Sequence, residues 1–415
     1  MRSIGLIRLL ASRASVVGIA AVAVATSVVL SPSAASAETV TLSPTGHVKF
    51  SLRGNGHAHG LSQYGAQGAA TQGLSHKTIL KFYYAGTTLT TLPSSTIKVK
   101  LSKTGASLTV LAESSLSVGK VGVLPVSGVA RYRLAADSGT TLTLQRLMTG
   151  ATAWTNVATK LPSGTAFTRG WGHSVRVYLS DGTSTRYFDY LLAVRSGASV
   201  IAVDRVMLDS YTRGVVPREM PASWRTEAVA AQAVAARTYG RYAVEHPINA
   251  NYDICDSTMC QVYGGAVHFD AAGSVVYRDD PVSIVGNNNQ VLQYASKTIF
   301  SQFSASNGGW SVYGGQPYML AHADPYDAAG GTDPYTLQSV TMSVASLAKA
   351  FGMKTLTSIT VTKRDGNGVW GGRVLAGYVA GTDASNAAKH VSFTGFDLQN
   401  AIGAGTTWIS IQSVP

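Results

Sequence analysis

Glu219 is the side chain in this sequence best suited to move a proton. It lies in Val215-Val216-Pro217-Arg218-Glu219-Met220-Pro221, where two prolines restrict the backbone around a single acid and apolar neighbours would partly strip water from its carboxyl. Desolvation raises a carboxyl pKa, as a general acid working near neutrality requires. The competing reading of the same residues is a carboxylate at a helix N-terminus, stabilised by the macrodipole. Two glycine-rich loops carry groups suited to a polar ligand. Gly56-His57-Ala58-His59-Gly60-Leu61-Ser62-Gln63-Tyr64-Gly65-Ala66 offers hydrogen-bonding and stacking side chains on a permissive backbone. Ser304-Ala305-Ser306-Asn307-Gly308-Gly309-Trp310 offers hydroxyls, an amide and an aromatic face. The alternative for either loop is a turn or cap without a ligand.

The elements that must position these groups change type along the chain. Glu38 to Leu92 opens glycine-rich and then reads helical, with a second start at Ser75 carrying Ile79, Leu80, Tyr83 and Tyr84 before Gly86. From Thr96 to about Asp204 the apolar period becomes two: Ile97, Val99 and Leu101 alternate with polar residues, and further strand-like runs occur at 142–144, 175–179, 187–191 and 200–203. Pro221 suits a first helical turn, and the alanine-rich stretch from Ser223 to about Glu245 predicts a long helix ended by His246-Pro247. Beyond it, 363–368 predicts a hairpin turn, and short helices are expected at 343–351 and 394–402, each closed by a glycine. The class is α+β, a mixed helical and β body with a β-rich domain inserted before the long helix.

Composition bounds the partner. The 415 residues contain 13% charged side chains, 33 Lys+Arg against 21 Asp+Glu and two cysteines, which excludes a disulfide-dense scaffold and points to an acidic partner. Arg2, Arg8 and Arg13, the uncharged run 14–30 and Ala35-Ser36-Ala37 read as an export signal. Taking those 37 residues, with three arginines and no acid, from 415 residues and a charge of +12 leaves 378 residues and +9. A membrane anchor at 14–30 is the alternative. Outside the cytoplasm an acidic wall polymer, and not nucleic acid, is the expected partner.

The stretch from Leu208 to Trp224, followed by Glu227 and Ala230 to Tyr239, closely resembles the signature of the stage II sporulation protein D and amidase-enhancer family. Similar segments follow in order: Asp256 to Gly265, Phe303 to Trp310, Pro317 to Leu320 and Asp324 to Asp327. The resemblance implies a lytic transglycosylase that cleaves peptidoglycan glycan strands without metal or cofactor, with Glu219 as catalytic acid and Arg237 at a position where a basic residue supports activity. A structural salt bridge is the other reading of Arg237. The family motif Gly-His-Gly-Val-Gly-Met-Ser-Gln-Tyr-Gly-Ala usually follows the segment that here ends near Trp408. In this chain it stands near the N-terminus, at 56–66, as if circularly permuted. That places His57, Ser62, Gln63 and Tyr64 as substrate-binding residues beside Glu219, together with Gln261, Tyr263, Ser306 and Asn307. Some relatives hold zinc near Cys255 and Cys260; the five-residue spacing here supplies two ligands where structural zinc wants four, so a disulfide ordering the loop is expected.

The implied organisation is a signal at 1–37, a displaced motif segment at 38–95, a β-rich domain at 96–205 and a catalytic domain at 206–415. Three functions follow from these readings: a lytic transglycosylase, probed on strands lacking stem peptides; a non-catalytic enhancer that assists a partner wall amidase; and a glycan hydrolase using Asp209 or Glu227 as second carboxylate.

Overall fold

A computed structural model describes residues 37–280, 287–331 and 333–414; the export signal read at 1–37 lies outside them but for its last residue. Among the described residues six α-helices and many strands make the protein α+β. The helices are α1 (Gln63–Thr71), α2 (His76–Tyr83), α3 (Leu208–Glu219), α4 (Thr226–Glu245), α5 (Val344–Ala350) and α6 (Gly395–Ala401). Among the described residues no helix is long and apolar enough to cross a membrane.

The strand-rich stretch builds two sheets over one core. Alternation decides which side of each strand faces it: Ile97, Val99 and Leu101 are buried while Lys98 and Lys100 are not. A seven-stranded sheet runs from Ile254–Cys255 through Thr96–Leu101 and Ser199–Met207 to Gly122–Val123, and an eight-stranded sheet runs from Trp154–Leu161 to Val275–Arg278. Both continue past residue 205, since strands at 254–255, 267–269 and 275–278 join them. Leu208, Tyr211 and Val215 of α3 and Ala236 and Ala243 of α4 are buried in the same apolar cluster as Phe167 and Leu191. The expected boundary at 205 therefore crosses a shared core.

The N-terminal segment packs against the other end of the chain. His47–Leu52 lies between Gln338–Ser343 and Ile409–Val414, antiparallel to both, and buries Val48, Phe50 and Leu52. Glu38–Thr41 pairs with Thr355–Arg364, and Thr88–Thr91 with Gln290–Tyr294. Helices α1 and α2 pack on α4 through Ala66, Ala69, Ile79 and Leu80 against Ala228, Ala231, Val234 and Ala235. Small residues on α4 allow this close approach.

Candidate active site

Glu219 is the last residue of α3, where Pro217 lies in the final turn and Met220 takes an extended conformation. The helix-start reading of this acid is thereby overturned: α3 ends at Glu219, and the next helix begins only at Thr226. At a helix C-terminus the macrodipole disfavours a carboxylate, so it opposes ionisation instead of supporting it. Burial pushes the Glu219 pKa above the ordinary carboxyl range, offset in part by the Val262 N–H, the Gln63 side chain and the Arg218 charge. The Val262 N–H donates to Oε1 at 3.3 Å. Gln63 is 6% exposed and its Nε2 has no partner of regular hydrogen-bond geometry among the described residues, which leaves the Glu219 carboxyl as the group it faces.

The 56–66 loop brings Gln63 there. Ser62 caps α1 by accepting the Gly65 N–H at 3.2 Å, and Gln63 is the first helical residue. Gly60 adopts φ +64° with its Cα against the Gln302 carbonyl, where a Cβ would sit 2.1 Å from that oxygen. Gly65 packs under Tyr83, whose hydroxyl would lie 1.9 Å from an added Cβ. Tyr64 leaves the loop on the other side and meets Trp224 at 4.8 Å and Tyr335 at 5.7 Å between ring centroids. An aromatic group is thus assembled from three distant segments next to the residue that contacts Glu219.

Beneath it lies a buried acidic network. Ser62 and Ser306 both donate to Asp327, Asn307 donates to Asp324 at 2.7 Å, and the Tyr83 hydroxyl reaches the same Asp324 oxygen at 2.7 Å. Ser306 is also 2.9 Å from Asp333. One hydroxyl proton cannot serve two carboxylates, and burial beside Asp327 raises the Asp333 pKa to about 6. Arg373 adds a bond to the Asn307 carbonyl at 2.6 Å.

Several residues expected at the substrate are interior instead. Arg237 is fully buried; it pairs with Asp209 through Nε, and its other nitrogens reach the Gln290 carbonyl at 3.2 Å and Asn287 at 3.1 Å. Asp209 lies ten residues before Glu219 on α3, about 15 Å along the axis, so this ion pair clamps α4 to the far end of that helix. Gln261 is 2% exposed and accepts from Tyr211 at 2.7 Å; Tyr263 is 4% exposed and donates to Asp204 at 2.8 Å. Ser306 and Asn307, 1% and 0% exposed, spend their side chains on the acidic network, as Ser62 does. The side chains of these residues are spent on interior partners. His57 lines a cavity of about 300 Å³ with His59, Arg373 and Phe396, and Glu219 is not part of that lining. The His57 Nδ1 accepts the His59 N–H at 2.9 Å, and desolvation together with His59 lowers its pKa to about 4. Of the candidate second carboxylates, Asp209 is held by Arg237, while Glu227 accepts the His76 ring nitrogen at 2.7 Å.

Cys255 and Cys260 form a disulfide that ties the turn just before Val262. Beside Val262 and Arg218 a cavity of about 280 Å³ opens, with Lys103, Asp256 and Tyr187 in its wall. Among the described residues no three His, Cys, Asp or Glu side chains are grouped to hold a metal ion. The contacts of the Val262 amide and of Trp224 and Tyr335 depend on tertiary placement, so no local pattern announces them.

Comparison with known proteins covers the same part of the chain. Residues 196–294, spanning α3 and α4, match the family model described as stage II sporulation protein. The chain is 34% identical over 126 residues to an uncharacterized protein of Brachyspira hyodysenteriae, covering 30% of this chain and 32% of the relative. It is 34% identical over 121 residues to the amidase enhancer of Bacillus subtilis (28% of this chain, 15% of the relative). It is also 26% identical over 181 residues to stage II sporulation protein D of Bacillus subtilis (40% and 51%). The chain thus spans about half or less of the length of these relatives. The segment that holds Glu219, residues 196–294, is thus a domain that matches the stage II sporulation protein family.

Proposed function

We propose that the protein is an exported lytic transglycosylase that cleaves the bond between N-acetylmuramic acid and N-acetylglucosamine in peptidoglycan glycan strands, those lacking stem peptides included. The observation that carries this reading is a single carboxyl, Glu219, desolvated at a helix C-terminus and faced by a neutral amide from Gln63 and a backbone N–H from Val262. Two roles fit one such group. Protonated, Glu219 gives its proton to the glycosidic oxygen as the bond from C1 of the muramic acid to that oxygen breaks. As carboxylate it then takes the proton from the 6-hydroxyl of the same sugar, whose oxygen closes on C1 to give a 1,6-anhydro ring. The attacking hydroxyl is intramolecular and already at high effective molarity, so the second carboxylate of a hydrolase is not needed.

In this reading Gln63 and Tyr64 come from a motif block moved to the front of the chain by circular permutation. The antiparallel pairing of His47–Leu52 with Ile409–Val414 supports it, because a block joined to the end of the catalytic segment would occupy the same place. A second reading is favoured by the name of one relative, amidase enhancer: the chain would bind glycan and stimulate a partner wall amidase without cutting.

One experiment separates the readings. Purified protein is incubated with stem-free glycan strands beside Glu219→Gln, and the products are resolved by mass spectrometry. Anhydro ends that disappear in the variant are expected. Reducing ends would indicate hydrolysis, and intact strands after incubation with folded protein would leave only the enhancer role.

A further inference from the structure

The outer face of the seven-stranded sheet carries a row of polar and aromatic residues that the active site does not use. Ser117, Thr168, Tyr190, Arg205 and Lys98 are successive register partners across five adjacent strands. Directly opposed residues share a face, and their chain neighbours Val118, Phe167, Leu191, Asp204 and Val99 are buried on the other side. The row therefore points away from the core. At about 4.8 Å per strand it spans roughly 19 Å.

Trp171 stands over this row with 45% of its surface exposed. Its ring meets Tyr190 edge-on at 4.8 Å, and the Arg205 guanidinium lies 4.9 Å from the Tyr190 centroid and 5.4 Å from that of Trp171. The loop that presents the indole is fixed without its help. Thr168 accepts the Gly170 N–H at 2.9 Å, and the buried Asp189 accepts the Gly172 N–H at 2.6 Å and the Met207 N–H at 2.9 Å. The Arg205 side chain makes no hydrogen bond or ion pair among the described residues, and its Nε is buried without an acceptor. A guanidinium normally spends its five donors. A cavity of about 470 Å³ adjoins the same Tyr190, with Lys120, Ser163 and Thr168 in its wall.

We propose that Trp171, Tyr190 and Arg205 form a second, non-catalytic polysaccharide site that takes a pyranose ring of an acidic glycan strand on the open face of Trp171 and a carboxylate of that strand on Arg205. A rigid exposed indole gives a sugar ring an apolar platform. The unspent planar donors of Arg205 match a carboxylate, and Lys120 extends the positive charge into the neighbouring cavity. The positive charge that remains without residues 1–37, +9 from +12 less three arginines, favours the same class of ligand. The site is built from residues other than those around Glu219. It would hold a long strand near the protein whether or not Glu219 cuts it.

The test uses the whole chain carrying Glu219→Gln, so that strands are not consumed. Calorimetric titration with stem-free peptidoglycan glycan strands should show two classes of site. Trp171→Ala should weaken one class by about tenfold while leaving the thermal transition in place, because the loop is held by backbone contacts. Arg205→Gln should weaken binding to strands with free carboxylates, and not to strands whose carboxylates have been amidated. An isotherm unchanged by Trp171→Ala, or a variant that melts earlier yet binds equally well, would overturn the proposal. Failure of the wild-type protein to cut strands would refute the catalytic reading and leave this one untouched.

Discussion

Replacing Arg237 by Ala distinguishes a clamp from a catalyst. The guanidinium is fully buried and serves Asp209, Asn287 and the Gln290 carbonyl, so its loss leaves the Asp209 carboxylate facing a cavity without its counter-ion. Breaking a buried pair by removing one partner costs about 3–5 kcal/mol. Asp209 keeps 22% of its side chain exposed and can recover some water, which puts the cost near the lower end, about 3 kcal/mol. In a unit of this size each kcal/mol moves the midpoint by about 2 °C, so thermal unfolding followed by circular dichroism should show a loss of about 6 °C. Arg237→Ala combined with Asp209→Asn should lose less than the single variant, because no unpaired charge is then buried. Turnover of glycan strands, assayed well below both midpoints, should fall only modestly. A variant that unfolds within a degree of the parent but has lost turnover would refute this argument and return Arg237 to the substrate.

Other perturbations test neighbouring parts of the site. Glu219 has a raised folded-state pKa, so the native state holds its proton longer than the unfolded chain, and stability declines as pH rises from the ordinary carboxyl range through the raised value. Turnover should fall over the same interval, and Glu219→Gln should remove that slope from a series of melting curves; a slope that persists assigns it to another group. Cys255→Ser with Cys260→Ser opens a loop of six residues and should cost about 2 kcal/mol by the loop-entropy relation, read from denaturant titration, with a loss of turnover because Val262 lies two residues beyond Cys260. Ala58 adopts φ +61° in the glycine-rich loop, so Ala58→Gly should stabilise by about 0.5–1 kcal/mol; an unchanged midpoint would mean that the loop relaxes without cost.

Local rules read some elements well. Ser75, Ser343 and Thr394 mark helix starts because each side chain caps the helix that follows, and Gly352 and Gly403 take positive φ just after α5 and α6. Alternation located the strands from Thr96 onward, but the run 187–191 is two strands meeting at a corner, where Asp189 has φ +66°. Helix α3 escaped notice because Gly214 and Pro217 lie inside it and no side chain caps its start. That one element reverses the helix-dipole contribution at Glu219, since it turns an N-terminal acid into a C-terminal one, while burial does most to raise its pKa. Residue types also misled at Gln261, Tyr263, Ser306 and Asn307. Polar groups suited to binding sugar are equally suited to satisfying a buried network, and only their burial tells the two apart.

The strand His47–Leu52 has a consequence for the order in which the chain can fold. Both of its partners, Gln338–Ser343 and Ile409–Val414, are made long after it during synthesis. Val48 and Phe50 must therefore wait, unpaired, for nearly the whole sequence to follow, and the closing step joins residues almost a full chain length apart. The three-stranded sheet stays open until Ile409–Val414 is made, which leaves the apolar side of His47–Leu52 exposed to aggregation on the way. Removing or blocking residues 409–414 would strand the first segment along with the last, and with it the loop that delivers Gln63 to Glu219.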